Sequence, residues 1–168
     1  MTFQLYIMRH AKSDRDVPGL ADFDRPLNNR GEKNSVRIGL WMEQNKRLPE
    51  KIISSSAVRA KQTIELVVNQ TSSINPENII YEKDLYLADL DTLIELIQLY
   101  KNDVNSLMLI AHNPGLERLV RFLSSESDSY YRNMTTANLA IFEYPDNQFE
   151  PAIDKGKLIE FIKPKDLD

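Results

Sequence analysis

The stretch Ser106-Leu107-Met108-Leu109-Ile110-Ala111 contains almost no polar alternation. A strand with one wet face alternates apolar and polar side chains, whereas an unbroken apolar run is what a strand covered on both faces looks like. Such a strand needs cover above and below, and this requirement excludes most architectures at once. The cover is available. Leu90, Leu93, Ile94, Ile97 and Tyr100 recur at i, i+3, i+4 and i+7, which predicts an amphipathic helix over 89–101. Strand-like and helical patterns alternate along the chain, so the expected fold class is α/β, with a layered sheet flanked by helices.

The remaining elements follow from their boundary signals. Phe3 to Met8 reads as a strand and the Pro- and Gly-containing segment 9–29 as a long loop. Arg30 to Lys46 reads as a helix stopped by Pro49, with Trp41 packing it on the sheet. Lys51 to Ser54 is a short strand, after which Ser56 is placed to cap a helix over 57–70 that turns Ala57, Ala60, Ile64 and Val68 to one side. Ile79 to Glu82 is a further strand. Asn113 is placed as an N-cap with Pro114 at the first helical position, and Leu116, Leu119, Val120 and Leu123 form that helix's apolar stripe. Leu139 to Tyr144 and Leu158 to Ile162 complete the sheet, and the Ser-rich stretch 124–129 reads as a loop. No repeat or linker divides the chain, so residues 1–168 are expected to form a single domain.

The polar residues that interrupt this pattern fall after strands. Arg9 and His10 follow the first, Ser54, Ser55 and Arg59 the second, and His112 the most apolar one. Ligands of open α/β sheets bind beyond the carboxyl ends of the strands, so parallel pairing would gather these residues in one crevice. Two guanidinium forks and a helix start suit a phosphoryl dianion. A neutral imidazole inside such a pocket is a nucleophile toward phosphorus, and a second histidine, if protonated, stabilises the equatorial oxygens. The chain has no cysteine and only two histidines, which leaves little for a thiolate or histidine-rich metal centre. No metal and no cofactor is expected. With 25 acidic against 21 basic residues the net charge is −4, which argues against nucleic acid or an anionic membrane as a partner. No run has the length of a membrane span, and the opening residues lack a basic signal region, so a cytoplasmic location is the expectation.

These residues resemble a known family. Arg9-His10-Ala11-Lys12, Asp22-Phe23-Asp24-Arg25-Pro26-Leu27, Arg30-Gly31, Ser54 through Thr63, His112-Asn113-Pro114-Gly115 and, more loosely, Thr135-Thr136-Ala137 are similar to the motifs of the histidine phosphatase (phosphoglycerate mutase-like) superfamily. The similarity is greatest to its SixA-like phosphohistidine phosphatase branch. The resemblance implies a three-layer α/β/α fold with a mainly parallel sheet and an antiparallel edge strand. It also implies His10 as the residue that becomes a phosphohistidine, and Arg9, Arg59 and His112 as the rest of the phosphate pocket, with Asn113 beside them.

One departure from the broader family bears on substrate. Where other members carry an acid, the loop reads Asp84-Leu85-Tyr86-Leu87-Ala88-Asp89, with Leu87 near the acid's position; Asp84, Asp89 or Glu82 are the candidates left for that role. An alkoxide leaving group needs a proton donor, while an imidazole leaves a phosphoramidate neutral, so a missing acid favours phosphohistidine on a protein. The readings in competition are a phosphomonoesterase for a small phosphorylated molecule, a non-catalytic phospholigand-binding module and a metal-dependent hydrolase. Arg25, Arg30 and Asp24 are expected to shape the first loop, and Lys12 to be a solvated loop lysine.

Overall fold

The computed structural model describes residues 1–125, 127 and 133–167. Six strands form one sheet: β1 (Thr2–Arg9), β2 (Lys51–Ser55), β3 (Ile79–Glu82), β4 (Ser106–Ala111), β5 (Leu139–Pro145) and β6 (Lys157–Ile162). Four α-helices connect them: α1 (Asn29–Gln44), α2 (Val58–Val68), α3 (Leu90–Tyr100) and α4 (Gly115–Leu123). The spatial order is β3-β2-β4-β1-β5-β6. β3, β2, β4 and β1 pair in parallel, and β5 is antiparallel to both β1 and β6. The sheet is thus mainly parallel, but its antiparallel strand β5 lies inside it and β6 forms the edge.

Alternation within the buried strands builds two cores. Phe3, Leu5 and Ile7 of β1 and Leu107 and Leu109 of β4 pack with Leu93 and Ile97 of α3 and Leu116 and Leu119 of α4. Tyr6 and Met8, with Met108 and Ile110, face the other way, toward Ile38 and Met42 of α1 and Ile64 and Val68 of α2. All six residues of β4 are buried, so the unbroken apolar run has the double cover its sequence demands.

Two helix starts differ from the sequence expectation. Ser56 does not cap α2: Ala57 holds the cap position, and Ser55 Oγ accepts the Ala57 N–H at 3.2 Å. Asn113 does not cap α4 either. The Asn113–Pro114 peptide is cis and Pro114 takes the cap position, while the Asn113 side chain donates to the Met134 carbonyl at 2.8 Å. The N–H of Leu116 bonds the His112 carbonyl at 3.0 Å, so this donor is turned back into the chain instead of toward a ligand. α1 begins on Asn28, whose side chain accepts the Gly31 N–H, and ends two residues before the expected Lys46 as the chain enters a left-handed turn there. Of the Ser-rich stretch, residues 126, 128 and 129 lie outside the described residues.

The loop after β1 rests directly on the first turn of α1. The Lys12 carbonyl accepts the Asn28 N–H at 3.0 Å, and a Cβ on Gly31 would collide with that same carbonyl oxygen. Gly31→Ala is therefore expected to cost about 1–3 kcal/mol, as overpacking against backbone does. Thermal unfolding checks this, and an unchanged midpoint would contradict the contact.

Candidate active site

The far separation of the two histidines in sequence is closed by one register. β1 and β4 are neighbours, with Arg9 opposite Ala111, so the residues that leave these strands, His10 and His112, emerge side by side. Their ring centroids are 5.0 Å apart. β2 lies on the other side of β4 and places Ser55 so that its Oγ is 2.7 Å from His112 Nε2. From the first turn of α2, Arg59 brings its Nε to 3.4 Å from His10 Nε2. Arg9, His10, Arg59, His112 and Asn113 all line one cavity of about 310 Å³, and Thr136 joins them. The structure thus brings together Arg9, His10, Arg59, His112 and Asn113, whereas Ser54, expected in the same crevice, is buried and donates to the Ser55 carbonyl, and Ser55 reaches the site only through His112.

Polar residues of the α2 motif hold this assembly in place. Thr63 Oγ1 accepts the Ala11 N–H at 2.9 Å and donates to the Arg59 carbonyl at 2.7 Å, linking the loop that carries His10 to the helix that carries Arg59. Gln62 accepts the Leu27 N–H, which straps down the far end of the same loop. On the opposite side the Met134 carbonyl accepts from Arg9 Nη1 at 3.0 Å and from Asn113.

Hydrogen bonding sets the His10 tautomer. His10 Nδ1 lies 2.8 Å from the Ala11 carbonyl, which can only accept, so Nδ1 carries the proton and the Nε2 lone pair accepts a long hydrogen bond from Arg59 Nε–H at 3.4 Å. Ser55 Oγ, which accepts from Ala57, lies 2.7 Å from His112 Nε2; with the hydroxyl proton on this bond the ring proton of His112 sits on Nδ1, which is buried without a protein partner among the described residues. Arg9 Nε is likewise buried and unpartnered. Buried donors are ordinarily satisfied, so Arg9 Nε, joined by His112 Nδ1 when it carries the ring proton, suits an oxyanion, while the buried and unpartnered Asn113 Oδ1 is an acceptor.

Burial fixes the protonation state. His10 and His112 are 6% and 2% exposed. Desolvation, reinforced by His112, Arg59 and Arg9, lowers the His10 pKa to about 3 against the pull of the Ala11 hydrogen bond. Desolvation and then Arg59 lower His112 to about 3 as well. Both rings are therefore neutral near pH 7 in the free protein. That suits His10 as a nucleophile, and it makes His112 a neutral donor until an anion enters.

Two contributors escaped the sequence reading. Asp22 is the acid of the loop's ion pairs, accepting from Arg25 at 2.7 Å and from Arg59 at 3.0 Å. Tyr86 donates to the same carboxylate at 2.5 Å and sets its ring edge-on to His112 at 5.4 Å. The Tyr86 hydrogen bond is the main cause holding the Asp22 carboxyl well below its ordinary range. Arg25, which bonds within the loop to Asp22 and Ser13, also lines the cavity, as does Lys12. Asp22 lay within the quoted motif, but a carboxylate between two arginines cannot be read without their positions.

The acid candidates are corrected. Glu82, Asp84 and Asp89 do not line the cavity. Glu82 accepts from Tyr100 at 2.8 Å and from the Asp84 N–H, and Asp89 caps α3 by accepting from Thr92. Leu87 lines the cavity instead. Among the described residues no group of three or more His, Cys, Asp or Glu is arranged to hold a metal ion, and no helix is long and apolar enough to cross a membrane.

Comparison with known proteins agrees with this geometry. The family model for the histidine phosphatase superfamily (branch 1) matches residues 5–105. An uncharacterised protein of Mycobacterium tuberculosis strain H37Rv is 35% identical over 120 residues, covering 71% of this chain and 72% of that one. The crystal structure of a candidate phosphohistidine phosphatase SixA from Agrobacterium tumefaciens superimposes with a TM-score of 0.79 at 28% identity, covering 96% of this chain and 98% of that one. The protein histidine phosphatase SixA complexed with tungstate shares the fold, with a TM-score of 0.81 at 24% identity, covering 99% of this chain and 100% of that one. A nucleophile-ready imidazole among arginines and a family match over more than half the chain lead to one conclusion: this chain belongs to the histidine phosphatase superfamily, branch 1, and is a metal-independent phosphatase that works through a histidine.

Proposed function

We propose that this phosphatase hydrolyses phosphohistidine on a protein substrate, with His10 as the nucleophile. His10 Nε2 attacks phosphorus in line. The new N–P bond forms as the substrate's P–N bond breaks, and that electron pair returns to the leaving imidazole. The leaving ring's second nitrogen is protonated from solvent near pH 6.5, so it departs neutral. Arg9, Arg59, Asn113 and the Nδ1–H of His112 bind the phosphoryl oxygens and stabilise the charge that spreads over them. In the second step water attacks phosphorus, the N–P electron pair returns to His10, and the water's proton leaves with inorganic phosphate.

What carries the choice of substrate is the absence of a neutral-pH acid among the described residues lining the cavity. Its one carboxylate is Asp22, which Tyr86, Arg25 and Arg59 keep ionised. An alkoxide, whose conjugate acid is about as weak as water with a pKa near 15.7, would have no donor here. An imidazole needs none. The likeness to a SixA named as a phosphohistidine phosphatase supports the same reading.

The test compares phosphate release from a phosphohistidine peptide with release from a panel of sugar and alcohol phosphates. The expected result is a kcat/KM for the peptide at least about a hundredfold higher, the scale on which losing a general acid slows an ester. A preference for esters would overturn the assignment.

A further inference from the structure

We propose that the mouth of this pocket is a docking face for an acidic polypeptide segment flanking the phosphorylated histidine, and that Lys12 and Arg15 select it. The proposal rests on the phosphohistidine-protein reading and says which proteins qualify.

The cavity carries more positive charge than one phosphoryl group requires. Among the described residues Arg9, Lys12, Arg15, Arg25 and Arg59 line it, against Asp22 alone, in a chain whose net charge is −4. Asp22 is spent on Arg25 and Arg59. A bound phosphoryl group contributes about −1.5 to −2, by analogy with other phosphorylated side chains, and this is met by the arginines facing His10. Lys12 and Arg15 remain unmatched: among the described residues neither has an ion pair or a side-chain hydrogen bond. The acids closest in sequence do not neutralise them across the opening. Asp14 and Asp16 do not line the cavity, and Asp14 Oδ1 accepts the Asp16 N–H at 2.9 Å.

The rim also has an apolar component that a small phosphorylated metabolite would not use. Leu87 lines the cavity with 54% of its surface exposed. Val17 and Leu20, also exposed, lie in the loop between the lining residues Arg15 and Asp22. Leu87 thus offers a solvent-facing apolar contact at the mouth of the cavity. Unmatched cations and apolar contacts together fit a peptide segment with carboxylates next to the phosphohistidine.

The test uses synthetic phosphohistidine peptides of equal length whose flanking residues are Asp and Glu in one series and Asn and Gln in the other. The readout is the ratio of their kcat/KM values. Two exposed ion pairs predict a ratio of roughly fivefold for the wild-type protein at low salt. The ratio should shrink toward one as the Debye length falls from about 10 Å at 0.1 M to 3 Å at 1 M salt. The double variant Lys12→Glu/Arg15→Glu should bring the ratio to one or below, with thermal unfolding verifying that it is folded. A wild-type ratio near one, or a ratio unmoved in the folded double variant, overturns the docking face alone. Failure to hydrolyse either series, with hydrolysis of ester phosphates, overturns the phosphohistidine reading and the docking face with it.

Discussion

His10→Ala is expected to lower kcat by at least about 10³-fold, because removing a covalent nucleophile leaves only binding and charge stabilisation. The reason is specific to this nitrogen. The Ala11 carbonyl holds the proton on Nδ1, so the lone pair on Nε2 points into the cavity beside Arg59. Of the other groups lining the cavity, the lysine and arginines are cations, Asp22 is tied to three donors, the second imidazole has its Nε2 bonded to Ser55 Oγ, and the Ser13 hydroxyl accepts from Arg25. Brief mixing of the wild-type protein with ³²P-labelled substrate should trap an acid-labile, alkali-stable phosphoenzyme, and the variant should trap none. Loss of labelling with undiminished turnover would exclude the covalent route. His112→Ala should be milder, on the order of 10²-fold, as expected for removing one donor to the phosphoryl oxygens.

Acid should destabilise the free protein well before its carboxylates titrate. Both histidines ionise near pH 6.5 in an unfolded chain and near 3 in the folded one. Between those values the unfolded state binds more protons, so stability rises with pH and falls as pH drops below about 6.5. From pH 7 to pH 5 each ring should remove about 2 kcal/mol, and the pair about 4 kcal/mol. For a chain of this size that lowers Tm by roughly 10 °C. His112→Asn should flatten the slope by about half. A Tm that stays level between pH 7 and 5 would mean the rings are not neutral and buried together. Inorganic phosphate should oppose the effect, because an anion in the cavity favours the charged form of a neighbouring imidazole.

Much of the fold was legible because the relevant signals are local. The apolar run of β4, the stripes of α3 and α4 and the polar residues at strand ends are set by periodicity and by where it stops. The misplaced features were helix caps and the acid. Ser56 and Asn113 are good capping residues by type, but Ser55 serves the first helix and the Asn113 side chain is taken by Met134. Glu82 and Asp89 have the right chemistry, yet local bonds to Tyr100 and Thr92 occupy them outside the cavity. Residue type limits what a side chain can do, and its neighbours decide whether it does so.

From its order of residues alone, this chain specified a doubly covered sheet and a short set of groups, Arg9, His10, Arg59 and His112, fitted to a phosphoryl oxyanion. Tertiary structure decided the rest: that Arg9 pairs with Ala111 and so sets two distant imidazoles 5.0 Å apart, that burial keeps both neutral, and that Asp22 and Tyr86 brace Arg59. The division has a physical cause. Periodicity is written within a few residues, whereas proton affinity and ion pairing depend on what the folded chain brings within a few ångströms.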